Sequence, residues 1–354
     1  MSKKQDEYDY QQIVEPLLKW YDIHKRTLPW RVSGNPYYTW VSEIMLQQTR
    51  VEAVKGYFAR FIGELPTVEA LAQAPEEQIL KLWEGLGYYN RVRNMQSAAI
   101  TIMEEYQGRI PEEYETLKTL KGIGNYTAGA IASIAYGKRV PAVDGNVLRV
   151  MKRLAGSYED IAKASVKTNL EKQLFPIIPE RSGAFNQAIM DLGAMVCLPN
   201  GKPLCDVCPL QELCRANLLG IQQELPVKAP KKARKIEEKT VLLLECKGKY
   251  AIRKREKKGL LAGLWELPSV EGKCKKEELY EILIEGDQTA KIAELGEAKH
   301  IFSHIEWVMV GYAISLEEQL GKEDLLWISA EELREQYAIP SAFAAYTRYI
   351  WDGF

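Results

Sequence analysis

Two carboxylates in this sequence lie in surroundings that predict different protonation states. Glu43 stands in the apolar run "WVSEIML". A carboxyl group buried among apolar side chains has a raised pKa, so it can hold a proton near neutral pH and donate it to a leaving group. Asp144 opens "DGNVLRVMKRL", where we predict that it caps a helix whose dipole and N–H groups favour its anion. Such a pair can supply a general acid and a fixed negative charge. A solvated helix glutamate and a purely structural cap remain open.

Cysteine spacing predicts a metal site. Four of the six cysteines form the pattern C-x7-C-x2-C-x5-C, at Cys197, Cys205, Cys208 and Cys214. The first residues contain no apolar targeting segment, so we predict a cytoplasmic protein whose cysteines are reduced thiols or metal ligands. Zinc and iron–sulfur clusters both accept four cysteines, and the spacing leaves both open.

A glycine-rich turn lies between two helical patterns in "LKGIGNYTAGAIASIAYG", residues 120–137. A dinucleotide fingerprint would need a preceding strand, and a P-loop would need Gly-Lys-Ser/Thr, so neither fits. Gly122 and Gly124 instead predict a helix-hairpin-helix, in which glycines adopt positive φ and the outward N–H groups of the second helix bind a phosphate. A tight interhelical turn closed by glycine remains the alternative.

The elements that must position these residues change character along the chain. Residues 8 to about 220 repeat apolar side chains at helical spacing, and Pro36 marks one helical start. A segment with two prolines and a basic run, Lys228–Lys235, predicts a solvated linker. Beyond it, runs such as "KTVLLLECKGKYAIRKR" alternate as strands do. We therefore predict an all-α domain followed by an α+β domain.

Length and charge set the outer limits. A chain of 354 residues predicts two domains, each large enough to bury its own core. The 47 basic and 48 acidic residues give a net charge of −1, so any site for a polyanion must be local. We find no run of about 18 apolar residues, which predicts a protein without a membrane span.

Several motifs together resemble one family. "LKGIGNYTAGAI", followed by "VPAVDGNVLRV", resembles the hairpin-plus-aspartate signature of the helix-hairpin-helix DNA glycosylase superfamily. "LPWR" at 28–31, "SEIMLQQT" at 42–49, "GLGYYNR" at 85–91 and the cysteine segment narrow the resemblance to MutY-type adenine DNA glycosylases of the iron–sulfur branch. The match runs from about Tyr8 into the C-terminal domain.

The resemblance implies a domain plan. A six-helix barrel is inserted into an iron–sulfur cluster domain, and DNA lies across the groove between them. A Nudix-like domain follows the basic linker. The implied boundaries are a catalytic domain at 1–222, with the barrel at about 29–135 and the cluster domain at 1–28 plus 136–222, a linker at 223–238 and the Nudix-like domain at 239–354.

The resemblance also implies roles. Glu43 protonates adenine and helps to activate water, while Asp144 either stabilises the cationic sugar or traps it transiently. Tyr126 stands where the bifunctional, endonuclease-III-like relatives have a Schiff-base lysine, and a phenol cannot form that imine. A monofunctional hydrolase is therefore expected. The resemblance further places Asn146 beside the sugar and assigns Arg26, Trp30 and Arg31 to the adenine pocket. Gln48 and Tyr88 are expected to enter the base stack. Lys121, Gly122 and Gly124 are expected to bind DNA.

In this family the cysteine loop carries a [4Fe–4S] cluster with the spacing C-x6-C-x2-C-x5-C, so this chain has one extra residue in the first gap. The C-terminal domain lacks the acidic Nudix hydrolase box, which implies that it binds rather than hydrolyses. Its "FSH" motif, Phe302, Ser303 and His304, matches the loop that recognises 8-oxoguanine.

The resulting prediction is a monomeric repair glycosylase that acts on double-stranded DNA containing adenine opposite 8-oxoguanine or guanine. Three alternatives are an endonuclease-III-like pyrimidine glycosylase with lyase activity, a non-enzymatic sensor of DNA structure, and a magnesium-dependent hydrolase of the nucleotide pool. Tyr126 argues against the first, the retained Glu43 and Asp144 against the second, and the missing acidic box against the third.

Overall fold

The chain forms two compact units. The computed structural model describes residues 8–31, 34–230, 233–283 and 290–352, so Lys231 and Lys232 of the predicted basic run lie outside the described residues. The first unit comprises Met1–Gln73 and Asn94–Pro230, and the second comprises Ala74–Arg93 and Lys231–Phe354. Residues 74–93, which the sequence analysis places in the six-helix barrel, therefore make their contacts mainly with the second unit.

Helices occupy the chain as far as residue 219. Asn35 caps one of them by accepting a 2.8 Å hydrogen bond from the Tyr37 N–H, and Pro36 opens the helix as predicted. The helices are α1 (Val14–His24), α2 (Pro36–Leu46), α3 (Val51–Glu64), α4 (Val68–Gln73), α5 (Glu76–Leu82), α6 (Asn90–Tyr106), α7 (Tyr114–Leu117), α8 (Asn125–Ala130), α9 (Gly145–Ala155), α10 (Ala164–Leu174), α11 (Ser182–Met195) and α12 (Arg215–Leu219). A π-helical turn, Ile131–Ala135, extends α8.

The beginning of the chain contributes to the core of the first unit. Helix α1 packs on α11, and α11 packs on α9, so that Leu17, Met151 and Phe185 share one buried cluster. Apolar side chains repeat along these helices at the spacing that places them on one face. This packing fixes the start of α9, and therefore the position of the residue just before it, Asp144.

The second unit contains a mixed sheet flanked by helices. The strand order is β3-β2-β1-β6-β5, with β4 paired to β1 and β7 paired to β2, and β1 and β6 run parallel. The elements are β1 (Lys235–Cys246), β2 (Lys249–Lys254), β3 (Trp265–Glu266), β4 (Ser269–Glu271), α13 (Lys276–Leu283), β5 (Lys291–Ile301), β6 (Ile305–Ser315), β7 (Leu325–Ser329), α14 (Ala330–Gln336) and α15 (Ala344–Asp352).

Alternation along β1 builds two cores from one strand. Val241 and Leu243 pack in the cluster that contains Phe343 of the turn before α15, whereas Leu242 and Leu244 pack in the cluster on the opposite face. Successive side chains of a strand point to opposite faces, so an almost continuous apolar run fits a sheet covered on both sides. The predicted fold class, an all-α domain followed by an α+β domain, is confirmed. None of the described helices combines the length and apolar composition that a membrane span requires.

Gly311→Ala should destabilise the second unit. A Cβ atom on Gly311 in β6 would lie 2.1 Å from the Tyr346 ring, which is buried. Overpacking of this kind costs roughly 1–3 kcal/mol, so we expect a loss of that size in the free energy of unfolding, measured with denaturant. Gly56→Ala in α3 is the control, because its Cβ would meet nothing within 4 Å and alanine favours the helix. Equal stability of the Gly311 variant and the parent would contradict this packing.

Candidate active site

Glu43 lies on α2 with only 6% of its surface exposed. Helix α2 is buried along most of its length, so the carboxyl group loses its hydration. This burial raises the pKa of Glu43 to about 7; the Tyr126 hydroxyl and the Arg31 charge oppose the rise, and the nearby Asp144 charge adds to it. The acid predicted from the apolar run therefore has a pKa that lets it exchange a proton near neutral pH.

Tyr126, near the start of α8, donates its hydroxyl hydrogen to the Glu43 carboxylate. Burial raises the pKa of Tyr126 well above its ordinary value, and the negative charges of Glu43 and Asp144 raise it further. The phenol is therefore neutral at physiological pH and acts as a hydrogen-bond donor. It holds one face of the Glu43 carboxyl group in a fixed orientation.

Asp144 is the N-cap of α9, as the sequence predicts. Its Oδ1 accepts a 2.7 Å hydrogen bond from the Val147 N–H, and its Oδ2 accepts one of 2.9 Å from Asn146 Nδ2. The expectation that this cap would favour the anion needs correction. Although part of the residue remains accessible, burial raises the pKa of Asp144, because the loss of hydration outweighs these hydrogen bonds.

Three residues beside this pair form a buried ionic cluster. Asp191 on α11 is fully buried, and its carboxylate lies 2.6 Å from Arg26 Nη2 and 2.8 Å from Arg31 Nη1. Burial alone would raise the pKa of Asp191, but Arg31 and Arg26 together lower it. The two arginines predicted for a base pocket are thus held by a carboxylate that our sequence analysis missed. Its signal was available, since Asp191 interrupts the apolar run "AIMDLGAM" much as Glu43 interrupts its own.

Trp30, the third residue predicted for that pocket, is only 4% exposed. Its ring meets the ring of Phe58 edge-on, with centroids 5.4 Å apart. In this structure it therefore packs as part of the interior of the first unit.

The stretch before Asp144 is held by close backbone packing. A Cβ on Gly129 would lie 2.2 Å from the Pro141 carbonyl oxygen, so only glycine lets α8 approach this stretch. Buried Asn186 accepts a hydrogen bond from the Ala142 N–H and donates to the Val140 carbonyl. Asn186 is a second positioning residue that our sequence analysis missed, and no motif marked it.

Asn146 links Asp144 to the cysteine segment. Its Oδ1 accepts a 3.0 Å hydrogen bond from Arg149 Nη2, and the same guanidinium donates to the Gly193 and Cys197 carbonyl oxygens. Arg149 is 6% exposed, so these contacts replace its hydration. In the sequence, the role of Arg149 is indicated only by the position of a charged residue on the apolar side of α9.

All four clustered cysteines line one pocket, together with Arg153, Gln211 and Gln222. Arg153 donates to the Cys197 sulfur at 3.2 Å and is itself buried. Burial, together with the charges of the other three cysteines, raises the pKa of Cys208 to about 12, so its free thiol stays protonated at neutral pH. A cationic group in the pocket would replace such protons and stabilise the thiolates. The donor set therefore fits a metal cofactor.

The four cysteines share one pocket without forming a single-ion site among the described residues. Among the residues that the structure describes, no group of three or more His, Cys, Asp or Glu side chains could hold a metal ion. A single zinc ion draws four sulfurs to about 2.3 Å from one centre, whereas an iron–sulfur cluster accepts one thiolate at each of several irons.

The glycine turn before α8 uses its two glycines differently. Gly122 has φ of 81°, and a Cβ there would lie 2.7 Å from the Asn94 side chain. Gly124 has φ of −91° and ψ of −179°, so the expectation of positive φ at both glycines is wrong for this one. It is the N-cap of α8, its Cβ would meet nothing within 4 Å, and Lys121 beside it is exposed. The protein's own packing does not require glycine at position 124.

Five non-glycine residues among those described have left-handed backbone conformations that side chains rarely adopt, and two of them are the exposed residues predicted for the base stack. Gln48, in the turn after α2, has φ of 66°, and Tyr88, in the second unit, has φ of 47°. The turn, rather than a helix, holds Gln48. Strain of this kind persists where surrounding structure imposes it, and it concentrates at functional positions.

In the second unit, the FSH motif forms a tight turn between β5 and β6. The Phe302 N–H donates to the Ile305 carbonyl, and its ring packs edge-on against Trp307, with centroids 4.9 Å apart. Phe302 thus anchors the turn from within, while Ser303 and His304 are exposed. The Ser303 hydroxyl lies 2.8 Å from the Tyr88 hydroxyl.

Comparison with known proteins gives two domain matches and relatives that align along most of this chain. Residues 41–176 match the HhH-GPD superfamily of base excision DNA repair proteins, and residues 240–349 match the NUDIX domain. The chain is 36% identical to the adenine DNA glycosylase of Rattus norvegicus, over 90% of this chain and 74% of the relative. It is also 36% identical to that of Buchnera aphidicola subsp. Baizongia pistaciae, over 82% of both chains.

Solved structures resemble the helical part. A thermostable thymine-DNA glycosylase superimposes with a TM-score of 0.53 and 27% identity, over 59% of this chain and 97% of that one. An endonuclease III, solved in a non-covalent complex with DNA, gives a TM-score of 0.51 and 26% identity, over 60% of this chain and 96% of that one.

Glu43→Gln should remove a pH dependence of stability. The folded pKa of about 7 exceeds the ordinary 4.5, so the folded state keeps a proton that the unfolded state releases. Stability should therefore fall as pH rises through this interval and level off above it, by about 3 kcal/mol in total. Glutamine does not titrate, so the variant should not lose stability in this way. Its free energy of unfolding, measured with denaturant, should therefore increase relative to that of the parent as pH rises. Glu64→Gln, at an exposed site, is the control; parallel curves for the Glu43 variant and the parent would refute the raised pKa.

Proposed function

The chain belongs to the family of adenine DNA glycosylases, and from this premise we propose how it acts. It removes adenine paired with 8-oxoguanine, or with guanine, from double-stranded DNA by hydrolysing the N-glycosidic bond. The observation that carries the proposal is the buried Glu43 carboxyl group, which has a pKa of about 7, accepts a hydrogen bond from Tyr126 and feels the charge of Asp144. Both carboxylates come from one chain, so a monomer suffices.

Glu43 first acts as an acid. Its proton passes to adenine, at N7, while the C1′–N9 bond breaks and its electron pair leaves with the base. Without that proton the base would leave as an anion. General acid catalysis of this type contributes about a hundredfold to ten-thousandfold in rate. The Glu43 carboxylate then takes a proton from the water that adds to C1′.

Asp144 faces the positive charge that develops on the sugar. A carboxylate with a raised pKa is poorly hydrated, so it gains more from a nearby cation than a solvated carboxylate would. The two hydrogen bonds from Val147 and Asn146 keep it oriented before the cation forms. The raised pKa of Asp144 is thus consistent with a carboxylate that stabilises the transition state electrostatically.

Arg26 and Arg31 border the base pocket in this proposal. Their pairing with Asp191 fixes the side chains while leaving 23% of Arg26 and 15% of Arg31 exposed. A fixed donor discriminates between bases better than a mobile one, because less conformational entropy is lost on binding. Trp30 backs this wall through its contact with Phe58.

Three surface features suit DNA. Gly124 leaves open space in front of the α8 N-terminus, where a phosphate can reach the backbone N–H groups beside Lys121. The strained Gln48 and Tyr88 can occupy the space that an extruded adenine leaves, since extrusion costs a few kcal/mol. Exposed Ser303 and His304 offer hydrogen-bonding groups to the lesion.

We assign a [4Fe–4S] cluster to the pocket, where Cys197, Cys205, Cys208 and Cys214 would be its ligands. A bound cluster would offset part of the thiolate charge and would hold together the loop that the four cysteines delimit. The extra residue in the first gap lies in a segment without helix or strand, where insertions are tolerated. Arg153 orients the Cys197 sulfur.

The decisive test measures single-turnover release of adenine from duplexes with A:8-oxoguanine, A:G and A:C pairs. Glu43→Gln and Asp144→Asn should each lower the rate by at least about a hundredfold with duplex binding retained, because each removes a charge or proton used in the transition state. Glu64→Gln is the matched control and should be unaffected.

Two outcomes would overturn parts of the proposal. Full activity of either the Glu43 or the Asp144 variant would refute the proposed pairing of an acid with an anion. Equal rates of adenine release from the three duplexes would refute the proposed recognition of 8-oxoguanine. Borohydride should not trap the enzyme on DNA, since Tyr126 cannot form an imine; trapping would favour the endonuclease-III-like alternative.

The cofactor assignment has its own measurement. Purified protein should be brown and contain iron and acid-labile sulfide in equal amounts. Cys208→Ser should lower both, because a hydroxyl is a poor ligand for iron, whereas Cys274→Ser, outside the pocket, should keep both. A colourless protein with bound zinc would refute the cluster.

A further inference from the structure

Residues 74–93 lie between two parts of the first unit along the chain, yet the second unit holds them. Glu77 pairs with Lys254 at 2.7 Å and accepts a hydrogen bond from the Trp265 indole. Arg93 donates to the Ala262 carbonyl at 2.8 Å. These contacts mark the two ends of a docked segment, and a third contact lies between them.

The third contact is the pair Lys81 and Glu84. Lys81 Nζ lies 2.7 Å from the Glu84 carboxylate, 3.0 Å from the Tyr337 carbonyl oxygen and 3.4 Å from that of Leu333. Both carbonyls belong to the end of α14, where carbonyl groups lack partners within the helix and a cation is favoured. The Lys81 side chain is 21% exposed, so its ammonium group depends on these acceptors.

Glu84 completes a clamp on the same turn. While one of its oxygens binds Lys81, the other accepts a 2.8 Å hydrogen bond from the Ile339 N–H. The pair thereby connects three points of the chain between Leu333 and Ile339. An exposed ion pair elsewhere on the surface, such as Lys55 with Glu52 on α3, has no such additional partners among the contacts described.

A short, constrained turn leads from this clamp to Tyr88. Trp83 donates from its indole to the Gly87 carbonyl at 3.1 Å, and Gly85 and Gly87 both have positive φ. Only three residues separate Glu84 from Tyr88, so a shift of the clamp must move Tyr88. The Tyr88 hydroxyl in turn lies 2.8 Å from that of Ser303.

We propose that Lys81 and Glu84 are positioning residues that set the contact between Tyr88 and Ser303, and thereby the preference for 8-oxoguanine over guanine opposite adenine. This inference rests on the proposed function. It assigns selectivity to a polar clamp that touches neither base. Because Ser303 is exposed at a turn, its orientation depends on the hydrogen bond that the clamp maintains.

The test compares single-turnover adenine release from A:8-oxoguanine and A:G duplexes. Lys81→Met should lower the ratio of the two rates about fivefold or more, the usual size of a coupling between sites. Lys81→Arg should restore most of it, because a guanidinium can reach the same acceptors. In a Ser303→Ala background, Lys81→Met should lower the ratio little further, since both changes remove one contact.

Lys55→Met is the matched control, because it breaks an ion pair of the same spacing and should keep the parent ratio. An unchanged ratio in Lys81→Met would overturn the inference, and so would a full additional loss in the Ser303→Ala background. If Lys81→Met does not fold, Glu84→Gln, which keeps the shape of the side chain, must lower the ratio in the same direction. A parent enzyme that releases adenine equally from both duplexes would refute the proposed lesion specificity instead.

Discussion

The structure of the first unit depends on the cost of removing carboxylates from water. Glu43, Asp144 and Asp191 are all enclosed by protein, and each is balanced differently. Two arginines neutralise Asp191, whose pKa is lowered, and this carboxylate serves as a fixed anchor. Burial raises the pKa of Glu43 to about 7, because the neutral Tyr126 phenol, its one direct hydrogen-bond donor among the described residues, offsets only part of the lost hydration. Differences in partners, rather than in residue type, separate a structural anion from a proton carrier.

The site and the cysteine pocket are parts of one buried polar network. Asp144 binds Asn146, Asn146 binds Arg149, and Arg149 reaches the Cys197 carbonyl. Each of these polar groups would be costly to bury without a hydrogen-bond partner. Loss of one contact therefore leaves the neighbouring group in the network without its partner. A change at the cysteine segment can therefore reach Asp144, for which we propose a catalytic role, through hydrogen bonds. Helices α9 and α11, which carry several members of this network, pack with α1 in one apolar core that fixes their positions.

The second unit positions its exposed residues by different means. Backbone hydrogen bonds hold the turn of Phe302, Ser303 and His304, since the Phe302 N–H donates to the Ile305 carbonyl and the His304 carbonyl accepts from the Lys235 N–H. Charged side chains hold the segment that carries Tyr88. Such contacts are directional and depend on geometry, whereas apolar packing tolerates small shifts. The proposed recognition surface combines two distant stretches of chain, and directional contacts would fix their positions more accurately.

Helical and strand periodicity, the proline and glycine positions and the apolar surroundings of Glu43 are local properties, so the sequence by itself determined the fold class, the cap at Asp144 and the raised pKa of Glu43. The partners of these groups were decided only by the tertiary structure, because residues far apart in sequence meet there. Asp191 meets Arg26 across 165 positions, and Tyr88 meets Ser303 across 215. Hydration is likewise a property of the folded surroundings, and for that reason burial, not the local cap, decides the pKa of Asp144.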